Sequence, residues 1–281
     1  MQYNLNGKLI QGRFISAETN NRALNYGDGI FESMRFANNR INFWEDHYFR
    51  FMASMRIVRM EIPMSFSPEY LEEQIRKTIE ANDLGKEAAR VKLLTFRKSG
   101  GLYTPETNRV DFMITVSALN EAQFQLNEAG LEVDLFKDFY VQRGMLSNLK
   151  TTSKMLSVVA SVYKKENKLD ECFLLNDDKA LTEAISSNVF LVKGKEVFTP
   201  PLSSGCLKGV MRKQVLALLP EMGYSVKEES INPFELQKAD EVFLTNSISG
   251  VKWVGQYRKK KYGNEVSKAL IKRLNVAVVM A

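Results

Sequence analysis

Short apolar runs separated by turn residues dominate the first third of the chain. They predict strands at 3–5 and 8–10 around the hairpin pair Asn6-Gly7, and at 29–36 and 40–43 around Asn38-Asn39. Two more are predicted at 90–97 and 111–119, flanking the loop Lys98-Ser99-Gly100-Gly101. Between these runs the spacing turns helical. One helix is predicted over about 45–59. A second opens at Ser67-Pro68, carries Leu71, Ile75 and Ile79 at four-residue intervals, and ends within 82–85. A polar stretch, 120–130, reads as a linker. Beyond it the pattern predicts a strand at 131–141 and a helix with Met155, Leu156, Val158, Val159, Val162 and Tyr163 on one face. Two hairpins follow, 172–175 with 180–182 and 189–192 with 196–198. A helix over 209–219 stops at Pro220, a strand covers 241–245, and a final helix runs from about 265. Strands mixed with helices in both halves predict an α+β protein of two domains, 1–120 and 121–281.

Composition narrows the class. With 281 residues, 44% hydrophobic and 26% charged, the chain has the make-up of a folded globular protein rather than a disordered or fibrous one. No apolar run reaches the roughly 20 residues of a bilayer span, and no secretory pattern opens the chain, so a cytoplasmic protein without membrane contact is expected. The net charge of +6 suits an anionic small ligand as well as a nucleic acid. The basic run Arg258 to Lys261 reads as a solvated hairpin tip, and no nucleic-acid motif accompanies it. Cys172 and Cys206 match no zinc or redox spacing and read as reduced thiols. His47 is the single histidine, which leaves little from which to build a metal site or a Ser-His-Asp triad.

Several segments carry candidate chemistry, each with a plain structural alternative. Lys150 lies at a strand-to-helix junction beside Thr151, Thr152 and Ser153; held inward it is an amine nucleophile, otherwise a surface lysine. Glu183 ends an apolar strand and is followed by Ser186, Ser187 and Asn188. It can turn into a cleft or close a local turn. Small residues from Ser203 run into a helix start at Val210 and Met211, where backbone N–H groups can receive a phosphate or simply begin a helix. His47 and Arg50 share a helix face, and Arg50 can clamp a phosphate. Arg97, at a strand end, can meet a substrate carboxylate or cap a sheet edge. A lysine nucleophile, a carboxylate and several phosphate donors together are what pyridoxal 5'-phosphate requires.

These segments, in this order, resemble the class IV (fold type IV) aminotransferases, the family of D-amino-acid and branched-chain aminotransferases and aminodeoxychorismate lyase. The stretch from Asn21 to Glu32 resembles the family's N-terminal signature, and His47-Tyr48-Phe49-Arg50-Phe51 the helix bearing its phosphate arginine. The resemblance implies that Lys150 carries the cofactor and that Glu183 faces the pyridine nitrogen. It implies that Arg50, Ser187, Asn188, Val210, Met211, Asn246 and Ser247 line the rest of the cofactor site. Arg97 and Phe31 are its candidates for substrate contact. It further implies a small α/β sandwich followed by a larger pseudo-barrel domain, with the cofactor between them, and a homodimer. Within the family, Phe96 to Tyr103, Val210-Met211 and Thr245-Asn246-Ser247 look most like the lyases, which make 4-aminobenzoate for folate biosynthesis. Ser186-Ser187-Asn188 is shared with the D-amino-acid enzymes. Gly250 and Trp253 stand where glutamate and proline are common. The reading is therefore 4-amino-4-deoxychorismate lyase, with amino transfer as the alternative and an idle cofactor-binding relative as a remote one.

Overall fold

The computed structural model describes residues 1–12 and 18–280. The chain divides into two units. Unit 1 holds Met1–Ala122 together with Lys150–Ser153; unit 2 holds Gln123–Leu149 and Lys154–Ala281.

Unit 1 is an antiparallel sheet backed by two helices. In chain order it contains β1 (Gln2–Leu5), β2 (Lys8–Gln11), α1 (Arg22–Tyr26), β3 (Gly29–Ala37), β4 (Arg40–Ile41), α2 (Trp44–Ile57), α3 (Pro68–Glu80), β5 (Ala88–Arg97) and β6 (Val110–Leu119). The strand order is β2-β1-β6-β5-β3-β4. Alternation along β3 puts Ile30, Met34 and Phe36 into one core with Phe51 and Met55 of α2 and Leu71, Ile75 and Ile79 of α3. The opposite face of the sheet carries Phe31 and Ser33 of β3 and, by register, Leu94 and Lys92 of β5. Residues 150–152 add a short edge to this sheet. Ile30 bridges Thr151 antiparallel, Phe31 N–H donates to the Lys150 carbonyl at 2.9 Å, and Thr152 N–H donates to that of Gly29 at 2.9 Å.

Unit 2 contains β7 (Leu131–Val141), α4 (Met155–Glu166), β8 (Glu171–Asn176), β9 (Leu181–Ala184), β10 (Asn188–Lys193), β11 (Glu196–Thr199), α5 (Val210–Glu221), β12 (Ser225–Glu228), β13 (Glu241–Asn246), β14 (Gly250–Tyr257), β15 (Lys260–Lys261) and α6 (Glu265–Met280). Its sheet runs β12-β11-β10-β13-β14-β7-β8-β9, with β15 on β14. Ala184 at the β9 end bridges Ser187 at the start of β10, so the end strand curls back on the sheet's interior, as a pseudo-barrel requires. The fold is thus two-domain α+β, as read from the sequence.

Two expectations need correcting, and one strand carries no clear sequence signal. The apolar residues of α4 do not share one face. Leu156, Val159 and Tyr163 pack with the buried Ala160, whereas Met155, Val158 and Val162 are exposed. Pro220 does not stop α5 but sits inside its last turn. The sequence reading also passes over β14, whose alternation is broken by Gly250 and Gly255. Gly255 lies against the backbone of Gly130, where no Cβ fits, so close strand approach and not turn formation explains it.

Candidate functional site

Lys150 is fixed through its backbone. Besides the pairing to β3, the Thr152 hydroxyl donates to the carbonyls of Gly27 at 2.7 Å and Gly29 at 3.2 Å. Gly27 makes this approach possible. It closes α1 at φ +64, and a Cβ there would lie 3.3 Å from the Ser153 backbone. Register then places the Lys150 side chain beside Phe31, with its ammonium 4.7 Å from the ring centroid. The Lys92 ammonium lies 5.1 Å from the same centroid. Burial, with the nearby Arg90, lowers the Lys92 pKa. Sequence reasoning missed Lys92 because only antiparallel register brings it diagonally beside Phe31.

On the core side of β3, Glu32 is 1% exposed among apolar neighbours. Its Oε2 meets His47 Nδ1 at 2.6 Å and accepts from Arg50 Nη2 at 2.5 Å, while Oε1 accepts from Arg50 Nε at 2.8 Å. Burial alone would raise the Glu32 pKa, but Arg50 and His47 outweigh it and bring it down to about 2. Burial dominates at His47 and lowers its pKa, against the opposing pull of Glu32. Arg50 is therefore held by Glu32 through two of its nitrogens. Strand parity was the available signal: Glu32 shares the face of Ile30, Met34 and Phe36.

Arg97 has a structural position. Its Nε donates to Asp28 Oδ2 at 3.0 Å and its Nη2 to the Val58 carbonyl at 2.9 Å. Nη1 bonds the Arg59 carbonyl at 3.3 Å and the Asn108 side chain. The same Asp28 oxygen accepts from Arg22 Nε at 2.8 Å, and Arg22 also donates to the carbonyls of Gly100, Leu102 and Tyr103. This geometry favours the sheet-edge alternative for Arg97, because its fork is spent on the backbone and Asp28.

Unit 2 gathers the remaining candidates. Glu183, on β9, accepts the Leu207 N–H through Oε2 at 2.9 Å. The nearby Lys154 attracts it, although burial dominates at that lysine and lowers its pKa. Asn188 Nδ2 donates to the Leu207 carbonyl at 2.8 Å, and a Cβ on Gly209 would collide with Asn188 Oδ1. Gly209 is also the N-cap of α5 and has no side chain to cap it, which leaves the first-turn amides of Val210 and Met211 without an intrahelical partner. Asn246 Nδ2 donates to Ser187 Oγ at 2.9 Å, and Asn246 Oδ1 receives the amides of Ile248 and Ser249. Ser247 sits inside that turn. Glu183, Ser187, Asn188, Val210, Met211, Asn246 and Ser247 therefore all belong to the β9–β10 turn, the α5 entry and the β13–β14 turn of one unit. Among the described residues no cluster of His, Cys, Asp and Glu could hold a metal ion.

A family model described as amino-transferase class IV matches residues 29–257. D-alanine aminotransferase of Bacillus licheniformis is 25% identical over 99% of this chain and 96% of its own. Aminodeoxychorismate lyase of Vibrio harveyi is 26% identical over 82% of this chain and 83% of its own. Among solved structures, the branched-chain aminotransferase of Thermoproteus uzoniensis superposes with a TM-score of 0.88 at 21% identity, covering 99% of this chain and 95% of its own.

Proposed function

The chain belongs to the class IV aminotransferase family, an enzyme family that works with pyridoxal phosphate, and from that premise we propose a specific activity. The protein is a lyase that releases pyruvate and 4-aminobenzoate from 4-amino-4-deoxychorismate, with Lys150 as its base. The observation that carries this reading is the Lys92 ammonium on the Phe31 ring, the same ring that Lys150 lies against. A second cation beside the cofactor lysine suits a carboxylate-bearing substrate better than an apolar amino acid.

The residues fit the cofactor. The uncapped start of α5 suits a phosphate, and Glu183 is a carboxylate held by a backbone amide. When bound, the cofactor supplies an electron sink for the carbanion formed at the amine-bearing carbon. In this reading Lys150 would hold the cofactor, and its amine would accept the proton from that carbon. Glu183 would face the ring nitrogen and favour its protonated form. Arg50, Ser187, Asn188, Asn246, Ser247 and the amides of Val210 and Met211 hold the cofactor's remaining polar groups. Phe31 and Lys92 orient the substrate. Arg97 acts through Asp28 and the loop beyond it, in place of direct contact with a carboxylate.

Amino transfer is the second reading. It is favoured by the near full-length similarity to a D-alanine aminotransferase. The two part in one assay: holoenzyme is given 4-amino-4-deoxychorismate in one cell, and D-alanine, L-glutamate or L-leucine with a keto acid in others. Stoichiometric pyruvate and 4-aminobenzoate support the lyase. Formation of a new amino acid in the other cells, without lyase turnover, overturns it.

Two identical chains form the working unit in this proposal. Pairing also accounts for apolar side chains left in solvent, such as Met155, Val158 and Val162. Sedimentation should give about twice 32.1 kDa.

A further inference from the structure

Glu32, His47 and Arg50 form a buried polar group inside the apolar core of unit 1, and nothing in the core's packing needs it. Ile30 and Met34 flank Glu32 along the strand face, and Phe51 and Met55 lie on the same helix as His47 and Arg50. An apolar residue at position 32 would pack there at less cost, since buried ion pairs seldom stabilise more than a hydrophobic replacement. The group is also left incomplete. His47 turns Nδ1 to Glu32, and its Nε2, equally buried, has no hydrogen-bond partner. A core selected only for stability would avoid that cost. What the arrangement achieves is orientation: two parallel bonds from one carboxylate define the plane of the Arg50 guanidinium. The imidazole, three residues earlier on the same helix, defines where the carboxylate stands.

We propose that Glu32 and His47 are positioning residues for Arg50: the imidazole anchors the carboxylate, the carboxylate fixes the guanidinium, and the arginine meets the phosphate of the cofactor already in place. The inference rests on the reading of Arg50 as a phosphate ligand. An arginine fixed beforehand has no side-chain freedom left to lose on binding, and that advantage applies to the phosphate alone.

Apoprotein of each variant is titrated with pyridoxal 5'-phosphate and, separately, with pyridoxal, which lacks the phosphate. The readout is the ratio of the two dissociation constants, with melting temperature followed alongside. Arg50→Gln tests the underlying reading: if that variant keeps the native preference for the phosphorylated form, Arg50 does not hold the phosphate. If Arg50→Gln loses the preference, the remaining variants test the positioning. His47→Leu should lower the preference by roughly tenfold. His47→Asn, whose amide can still donate to Glu32, should restore most of it. Glu32→Gln is the sharpest case. Removal of a negative charge near the arginine would by Coulomb attraction alone strengthen phosphate binding, whereas loss of positioning weakens it. A preference unchanged in His47→Leu, or raised in Glu32→Gln, overturns the proposal. So does failure of both variants to fold, because the pair would then be a scaffold element only.

Discussion

Lys150 carries the chemistry of this account, and its removal should be the most costly single change. Lys150→Ala should reduce turnover by about a hundredfold or more, the usual contribution of a positioned base, while leaving the melting temperature nearly unchanged, because position 150 is held through backbone bonds. Steady-state rates and a thermal melt check both halves. Glu32 gives a pH prediction. Its pKa falls from 4.5 to about 2 on folding, so the stabilisation is complete above the unfolded value and disappears as pH drops from about 4.5 toward 2. Denaturant unfolding over that range should show a steeper acid loss in the wild type than in Glu32→Gln. The thiols are inert by the same physics. Burial pushes Cys172 and Cys206 up to about 12, and thiol reagents should label them only after unfolding. Lys150 and Glu183 stand out in the sequence only through the order of the motifs around them, since residue type and neighbours alone suit a surface lysine and a turn glutamate equally well. The sequence did not reveal Lys92, which acquires its place only through strand register.

Among the elements, Asp28 joins three pieces of unit 1. One oxygen accepts from Arg22 and Arg97, and through them reaches α1, the 98–103 loop and the end of α2. Asp28→Ala leaves two buried guanidinium groups without their carboxylate and should destabilise the protein by about 3 kcal/mol, read by denaturant titration. Arg97 looked equally plausible from sequence as a substrate ligand or a sheet cap. Nothing local could separate the two, because its partners at positions 28, 58, 59 and 108 are remote in the chain. Elements with internal logic were legible. The α3 helix announced itself by Ser67, which accepts the Tyr70 amide, and by Pro68 at its first turn. The two faces of α4 were not, since six apolar residues in a row of positions do not say which of them find a partner.

For the whole molecule, Lys150 comes from a four-residue excursion. The chain leaves unit 2 after Leu149, gives Lys150–Ser153 to the sheet of unit 1, and resumes unit 2 at Lys154. No composition or periodicity signals such a detour, because these residues are too few to have a pattern. If the proposal holds, this excursion places the one lysine that bonds the cofactor. Borohydride reduction of cofactor-loaded protein makes a lysine–cofactor link permanent, and peptide mass spectrometry then locates it. The label should lie on the peptide holding Lys150 and be absent from Lys150→Ala. A label on Lys92, Lys154 or any other lysine of the native protein, or no label at all, would contradict the proposal.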